Sequence, residues 1–194
     1  MGFPESPDFA ELIARLAIAL ADHGFPFMLI GGQAVLLHGE PRLTQDVDVT
    51  IGASPQRLDD ALAVCAATGL EPLPSDIPTF VRDTFVLPAR DSGSGIRVDF
   101  IFSTTPYEAE AIRRSVPIEV GGVRVPFASA EDLILHKLFA GRPRDLEDAA
   151  GVVRRKGSDL DWPYIRNWAV EFSVVRGREN LRDQVQQLER EGGE

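Results

Sequence analysis

The sequence predicts an α+β fold, a mixed β-sheet flanked by helices and followed by a helical bundle. Two observations carry this. Over the first 127 residues helical and strand patterns alternate, and the middle strands come as hairpins joined by Asp91-Ser92-Gly93-Ser94-Gly95 and by Gly121-Gly122. Hairpin strands run antiparallel, so the sheet is not a series of βαβ crossovers, which disfavours a dinucleotide-binding fold. From Ser129 on, the apolar spacing is helical throughout. The expected organisation is an α/β core over residues 1–127 and a helical region over 128–194 packed on it.

The elements follow in order. Ser6-Pro7 reads as N-cap and N1 of a helix, with Phe9, Leu12, Ile13, Leu16, Ala17 and Leu20 at helical spacing up to His23-Gly24. Phe25 to Ile30 is a short buried strand, and Gly32 opens a short helix over Gln33–His38. Asp46 to Ile51 alternates cleanly, with Asp46, Asp48 and Thr50 on one face and Val47, Val49 and Ile51 on the other. Ser54-Pro55 starts a second amphipathic helix carrying Leu58, Leu62 and Cys65. Strands are expected at Phe85–Ala89, Ile96–Phe102, Pro117–Glu119 and Val123–Phe127, and helices at 129–140, 144–156, 162–173 and 177–190.

Composition bounds the function. At 194 residues the chain is one domain, or one with a helical appendage, and its 44% apolar and 26% charged content is that of an ordinary soluble globule. The one cysteine, Cys65, forbids an internal disulfide and fits a reducing compartment. The apolar run Leu16–Ala21 is too short to cross a membrane, and no signal peptide accompanies it, so the expected location is cytoplasmic with no membrane partner. Met1-Gly2 with Ser6 matches a loose myristoylation pattern that Pro4 interrupts, and is read as chance. A net charge of −10 argues against indiscriminate nucleic-acid binding. The charge is uneven: residues 1–110 hold 6 Lys+Arg against 16 Asp+Glu, and residues 111–194 hold 14 against 14. The cluster Arg142, Arg144, Arg154, Arg155 and Lys156 reads first as a solvated helix face and only weakly as a pointer to a phosphate-bearing partner.

A few residues stand out chemically. Gly31-Gly32 lies between a strand and a helix, where backbone N–H groups and the helix dipole favour an anion, or where a tight turn needs positive φ. Asp46 and Asp48 share one strand face, about 6.6 Å apart along the backbone. Aspartate is depleted in strands, yet two stand in the heart of this one. Asp99 repeats the oddity as the lone acid in Val98-Asp99-Phe100-Ile101-Phe102. Its carboxylate needs a partner, either a nearby arginine or a metal shared with Asp46 and Asp48. Lys137 is one of two lysines against 18 arginines and lies among apolar helix residues. A compact ammonium there suits a phosphate, or it snorkels to the surface. If it lies near a packed interface it needs carboxylate partners, drawn from Asp46, Asp48, Asp99, Asp145 or Asp148. Arg144-Asp145-Leu146-Glu147-Asp148 opens the next helix, where acids suit the dipole. His23, His38 and His136 show no metal-ligand spacing and read as structural, and no Ser-His-Asp, Cys-His or GK[ST] pattern is present.

Together these residues resemble a known family. Gly31-Gly32, Asp46-Val47-Asp48 and a later lone Asp99 are similar to the minimal nucleotidyltransferase core of the DNA polymerase β superfamily. The longer string Gly31-Gly32-Gln33-Ala34, His38-Gly39, Arg42-x-Thr44-x-Asp46-x-Asp48 resembles the AbiEii/AbiGii toxin-like group. So do Leu135-His136-Lys137-Leu138-Phe139 and Arg144-Asp145-Leu146-Glu147-Asp148. The resemblance covers residues 27–150 and implies a nucleotidyltransferase core for the first domain. It implies that Asp46 and Asp48 hold Mg²⁺ (Mn²⁺ as the substitute) on a nucleoside triphosphate such as ATP. Asp99 would complete the metal site and help activate an acceptor hydroxyl. Gly31 and Gly32 would seat the phosphates, with Arg42, Thr44 and Lys137 in the nucleotide site and Asp145 and Asp148 near it. Many superfamily members carry Gly-Ser where this chain carries Gly31-Gly32, so one hydroxyl is missing at that point.

The expected function is Mg²⁺-dependent transfer of a nucleoside monophosphate to a hydroxyl on an RNA 3′ end, a protein or a small molecule. A toxin–antitoxin setting would add a cognate antitoxin as partner. The alternative is an inactive binding module on the same fold, an antitoxin or regulatory subunit. The intact set of three aspartates favours the enzyme.

Overall fold

The computed structural model describes residues 7–41 and 43–192; Met1-Gly2, the Ser6 cap and Arg42 lie outside them. The chain divides into two compact units, Met1–Gln33 with Leu43–Phe127, and Ala34–Arg42 with Ala128–Glu194. Residues 34–42 group with the second unit.

The first unit holds a seven-stranded sheet. Its strands are β1 (Phe27–Ile30), β2 (Asp46–Ile51), β3 (Leu70–Pro72), β4 (Val86–Asp91), β5 (Arg97–Phe102), β6 (Val116–Val120) and β7 (Val123–Phe127). The order is β3-β4-β5-β2-β1-β7-β6. β2 pairs with β5, and β1 with β7, in parallel; the remaining pairs are antiparallel, so the sheet is mixed, as the hairpin turns require. The period-2 pattern of β2 decides its faces. Val47, Val49 and Ile51 are fully buried, as are Val98 and Phe100 of β5 and Leu87 and Ala89 of β4. Each large apolar side chain on that face contributes about 1.5–3 kcal/mol of burial. Asp46, Asp48 and Asp99 fall on the opposite, half-buried face.

The helices of this unit are α1 (Pro7–Asp22), the start of α2 (Gly31–His38), α3 (Leu58–Thr68), α4 (Ile77–Thr84) and α5 (Pro106–Arg113). α1 buries Leu12, Ile13, Leu16 and Leu20, packing on β7 and against α3. In α3, Cys65 is buried, and burial pushes its thiol up to about 12. β3, α4 and α5 are additions to the elements read from sequence. The helix expected to begin at Gln33 starts two residues earlier, so both glycines are its first residues.

The second unit holds the rest of α2 and α6 (Ala130–Ala140), α7 (Pro143–Lys156), α8 (Trp162–Phe172) and α9 (Leu181–Gly192). Ser129 caps α6 by accepting from the Asp132 N–H at 3.1 Å, and Asp161 caps α8 by accepting from the Tyr164 N–H at 3.0 Å. α6 packs against α7 and α8, and α9 against α7 and α8. Residues 35–39 are packed in closely. A Cβ on Gly39 would sit 3.2 Å from both Val35 and Val152. His38 Nε2 lies 2.9 Å from the Ala128 carbonyl, and burial lowers its pKa, which keeps the ring neutral at pH 7 in the structural role expected of it.

Candidate active site

Residue pairing across β2 and β5 builds the first cluster. In the parallel register Asp46 lies opposite Arg97 and Asp48 opposite Asp99. Paired residues on neighbouring strands point to the same face, with strands about 4.8 Å apart. The four side chains therefore occupy the corners of one patch on the polar face of the sheet. Pro88 of β4 lies opposite Asp99 on the far side, and Ile30 of β1 opposite Asp48 on the near side.

Next to Asp48 the chain turns into α2, and the turn explains the glycines. Gly31 has φ +63, and a Cβ there would lie 1.9 Å from Asp48 Oδ2. A Cβ on Gly32 would lie 2.3 Å from Thr44 Oγ1. Both side chains thus come down onto bare backbone at the first turn of a helix, where the N–H groups point outward and the dipole favours an anion. Thr44 Oγ1 donates to Asp46 Oδ1 at 3.0 Å. Gln33, fully buried, donates through Nε2 to the Asp46 carbonyl at 3.4 Å, and its Oε1 has no hydrogen-bond partner among the described residues. Arg42 lies outside the described residues.

Asp99 takes the arginine alternative in this state. Arg97 Nε donates to both of its oxygens, at 2.9 and 3.1 Å. That hydrogen bond raises the guanidinium pKa, and the charges of Asp46 and Asp48 add to it while burial opposes. The sequence offers a nearby arginine as the partner of Asp99 without singling out Arg97. Its signal was its position two residues before Asp99, hence on the same strand face. Among the described residues no three of His, Cys, Asp and Glu are grouped closely enough to hold a metal ion. The donor set is nonetheless that of a hard divalent cation: carboxylate oxygens on one face, with Gly31 leaving room for the Asp48 carboxylate itself.

The second cluster belongs to the second unit. Lys137 of α6 is buried, its side chain 8% exposed, and its Nζ is 2.9 Å from Asp145 Oδ1 and 2.8 Å from Asp148 Oδ2. Asp145 and Asp148, one turn apart on α7, point to the same face. Of the five acids offered by sequence as partners of Lys137, these two are the ones that meet it. Burial alone would raise the Asp145 pKa, but hydrogen bonds from Arg142 and Lys137 hold it below the usual carboxylate range. The acids explained at first by the helix dipole are thus ion-paired across a helix–helix contact.

The comparisons agree with this architecture. The profile of the family described as nucleotidyl transferase AbiEii toxin, type IV toxin–antitoxin system, matches residues 12–191. Among solved structures, an antigenic nucleotidyltransferase-like protein from Paracoccidioides brasiliensis is similar with TM-score 0.54 at 15% identity, over 93% of this chain and 94% of that one. The antibiotic-resistance factor ANT(2″)-Ia, in complex with adenylyl-2″-tobramycin, is similar with TM-score 0.51 at 17% identity, over 95% and 98%. The lincosamide antibiotic adenylyltransferase LnuA, lincomycin-bound, is similar with TM-score 0.51 at 12% identity, over 73% and 94%. At these identities the likeness is one of fold. No curated protein matches the chain in sequence.

Proposed function

Since the chain belongs to the AbiEii nucleotidyl transferase toxin family and is a nucleotidyltransferase, we propose that it moves a nucleoside monophosphate from a triphosphate to an acceptor hydroxyl, releasing pyrophosphate, and that Asp46, Asp48 and Asp99 carry the reaction. The observation that supports this most is the register that sets Asp48 beside Asp99 on the face that also bears Asp46.

In this reading the three carboxylates hold Mg²⁺, or Mn²⁺ in its place. The metal would supply charge neutralisation of the phosphates and alignment for in-line attack. The chain's own groups do the rest. Gly31 and Gly32 offer backbone N–H groups to the phosphates at the start of α2, beside the Asp48 carboxylate and the Thr44 hydroxyl. Thr44 fixes Asp46 and places its hydroxyl over Gly32, within the same nucleotide site, to which the family resemblance adds Arg42. Asp99 accepts the proton of the acceptor hydroxyl once free of Arg97. The family resemblance adds Lys137, held here by Asp145 and Asp148, as a residue that binds the triphosphate. The nucleotide is a triphosphate such as ATP, and the acceptor is an RNA end, a protein or a small molecule; the similar fold of a lincosamide antibiotic adenylyltransferase and of a protein in complex with adenylyl-2″-tobramycin supports the small molecule. Family membership makes a cognate antitoxin the expected partner and the cytoplasm the expected site of action. Among the described residues no helix is long and apolar enough to cross a membrane.

The test is incubation of the protein with each labelled nucleoside triphosphate, Mg²⁺ or Mn²⁺, and total RNA or cell lysate. Label should pass to one acceptor class with wild type and not with Asp46→Asn or Asp48→Asn, while both variants keep the wild-type circular dichroism spectrum. Nucleotide binding without transfer by the wild type under every condition would overturn the enzymatic reading and favour the binding module.

A further inference from the structure

Three carboxylates on one sheet face repel one another, and the structure shows what answers them. Arg97 is the register partner of Asp46 and clasps both oxygens of Asp99 through Nε. Thr44 Oγ1 takes Asp46. Asp46 and Asp99 are therefore turned to protein donors, and among the described residues no three acids are grouped as a ready metal site. The clasp is not locked in place. Arg97 is 47% exposed along its side chain, against 17% for Asp99. Arg97 also lines a cavity of about 630 Å³ with Leu73, Phe80, Thr84 and Pro88, under α4 and beside β4. Pro88 is the register partner of Asp99, so this cavity opens on the face that bears the carboxylates. The guanidinium has room to move off Asp99 without leaving the protein surface.

We propose that Arg97 is a displaceable counter-ion: it neutralises the acidic face and holds Asp99 when no metal is bound, and swings toward the α4 cavity when a divalent cation takes the carboxylates. This rests on the assignment of Asp46, Asp48 and Asp99 to a metal. Arg97 is a positioning residue, since it acts through Asp99. Metal binding is then a competition between one guanidinium and one cation for the same oxygens, and the cation concentration that switches the site on is set in part by Arg97.

A neighbouring arginine provides the control. Arg90 is the β4 register partner of Arg97, but its guanidinium donates to the Gly95 carbonyl and, among the described residues, holds no carboxylate. Arg97→Gln and Arg90→Gln remove the same charge from the same face, and only the first releases Asp99. Mn²⁺ alone is titrated into the full chain and free Mn²⁺ read by its paramagnetic resonance signal, with thermal unfolding measured at zero and saturating Mn²⁺. The expected result is Mn²⁺ binding about fivefold tighter in Arg97→Gln than in wild type, the ratio carried by a part-exposed ion pair. Arg90→Gln should stay within about twofold of wild type on the same scale. Metal-free Arg97→Gln should melt below wild type and regain the difference on adding Mn²⁺. Arg97→Lys, which keeps the charge without the two-oxygen clasp, should fall between, and serves if Arg97→Gln does not fold without metal. Equal Mn²⁺ affinity in wild type and the Arg97 variants, or an equal gain from Arg90→Gln, overturns the counter-ion. Absence of Mn²⁺ binding in wild type and every variant overturns the metal assignment itself and the counter-ion with it.

Discussion

Gly31 and Gly32 are glycines for different reasons, and substitution separates them. At Gly31 both the backbone, at φ +63, and the space, with Asp48 Oδ2 at 1.9 Å from any Cβ, exclude a side chain. Gly31→Ala should cost about 2–4 kcal/mol, from overpacking and left-handed strain together, read as a lower urea midpoint. At Gly32 the obstacle is the Thr44 hydroxyl, 2.3 Å from the would-be Cβ. Gly32→Ser should therefore destabilise the protein by about 1–3 kcal/mol in a wild-type background, and much less when combined with Thr44→Ala. An additive double variant would show that Thr44 does not fill the position-32 space. The aspartates and the glycine pair were readable in the sequence because acids in a strand and glycines between strand and helix are locally anomalous. Arg97 itself does not stand out, because an arginine two residues before an aspartate on the polar face of a strand is locally ordinary. Its importance comes from the parallel β2–β5 pairing, which no residue of either strand announces.

At the scale of elements, α6 and α7 are joined by buried charge. Lys137→Ala would leave Asp145 and Asp148 buried without their cation and should cost about 3–5 kcal/mol. Loss of transfer in that variant thus carries weight only beside a stability measurement. The same ion pairs make stability acid-sensitive. The pKa of Asp145 is depressed by folding, so the unfolded chain binds its proton more readily. The stabilisation is complete well above the unfolded value of about 3.9 and is lost as pH falls through the lower folded value. In urea melts between pH 6 and 2, wild type should lose more stability than Asp145→Asn over the acid end of that range. An identical decline would assign acid sensitivity to other carboxylates. Several elements declared themselves through alternation and turn residues, β2 and the β6–β7 hairpin among them. α5 carried a signal that went unread: Thr105-Pro106 with Glu108 is a capped helix start, and Thr105 does accept from the Glu108 N–H at 3.2 Å. α4 carried the same kind, with Asp76 accepting from the Thr79 N–H. Each spans eight residues, too few for an apolar stripe to establish a period.

At the scale of the molecule, the chain passes between its two units three times, after Gln33, after Arg42 and after Phe127. Composition and periodicity cannot reveal such a detour, since residues 34–38 continue the helix begun at Gly31. Ala34 and Val35 are fully buried, and Val35 meets Gly39, beside Val152. A fragment ending at residue 127 would strip this cover, and it should show no cooperative urea transition by circular dichroism. A sharp transition in the fragment would show that the first unit folds alone. The placement of two rare residue types turns this into a question the native chain can answer unaided. The single thiol, Cys65, is 1% exposed and lies in the first unit, while Trp162 and Trp168 lie in the second. Thiol reactivity is thus a chemical clock for opening of one half, and indole fluorescence an optical gauge of the other, with no label or mutation introduced. Coincident midpoints for the two signals are the expected reading of a chain stitched three times across its own boundary.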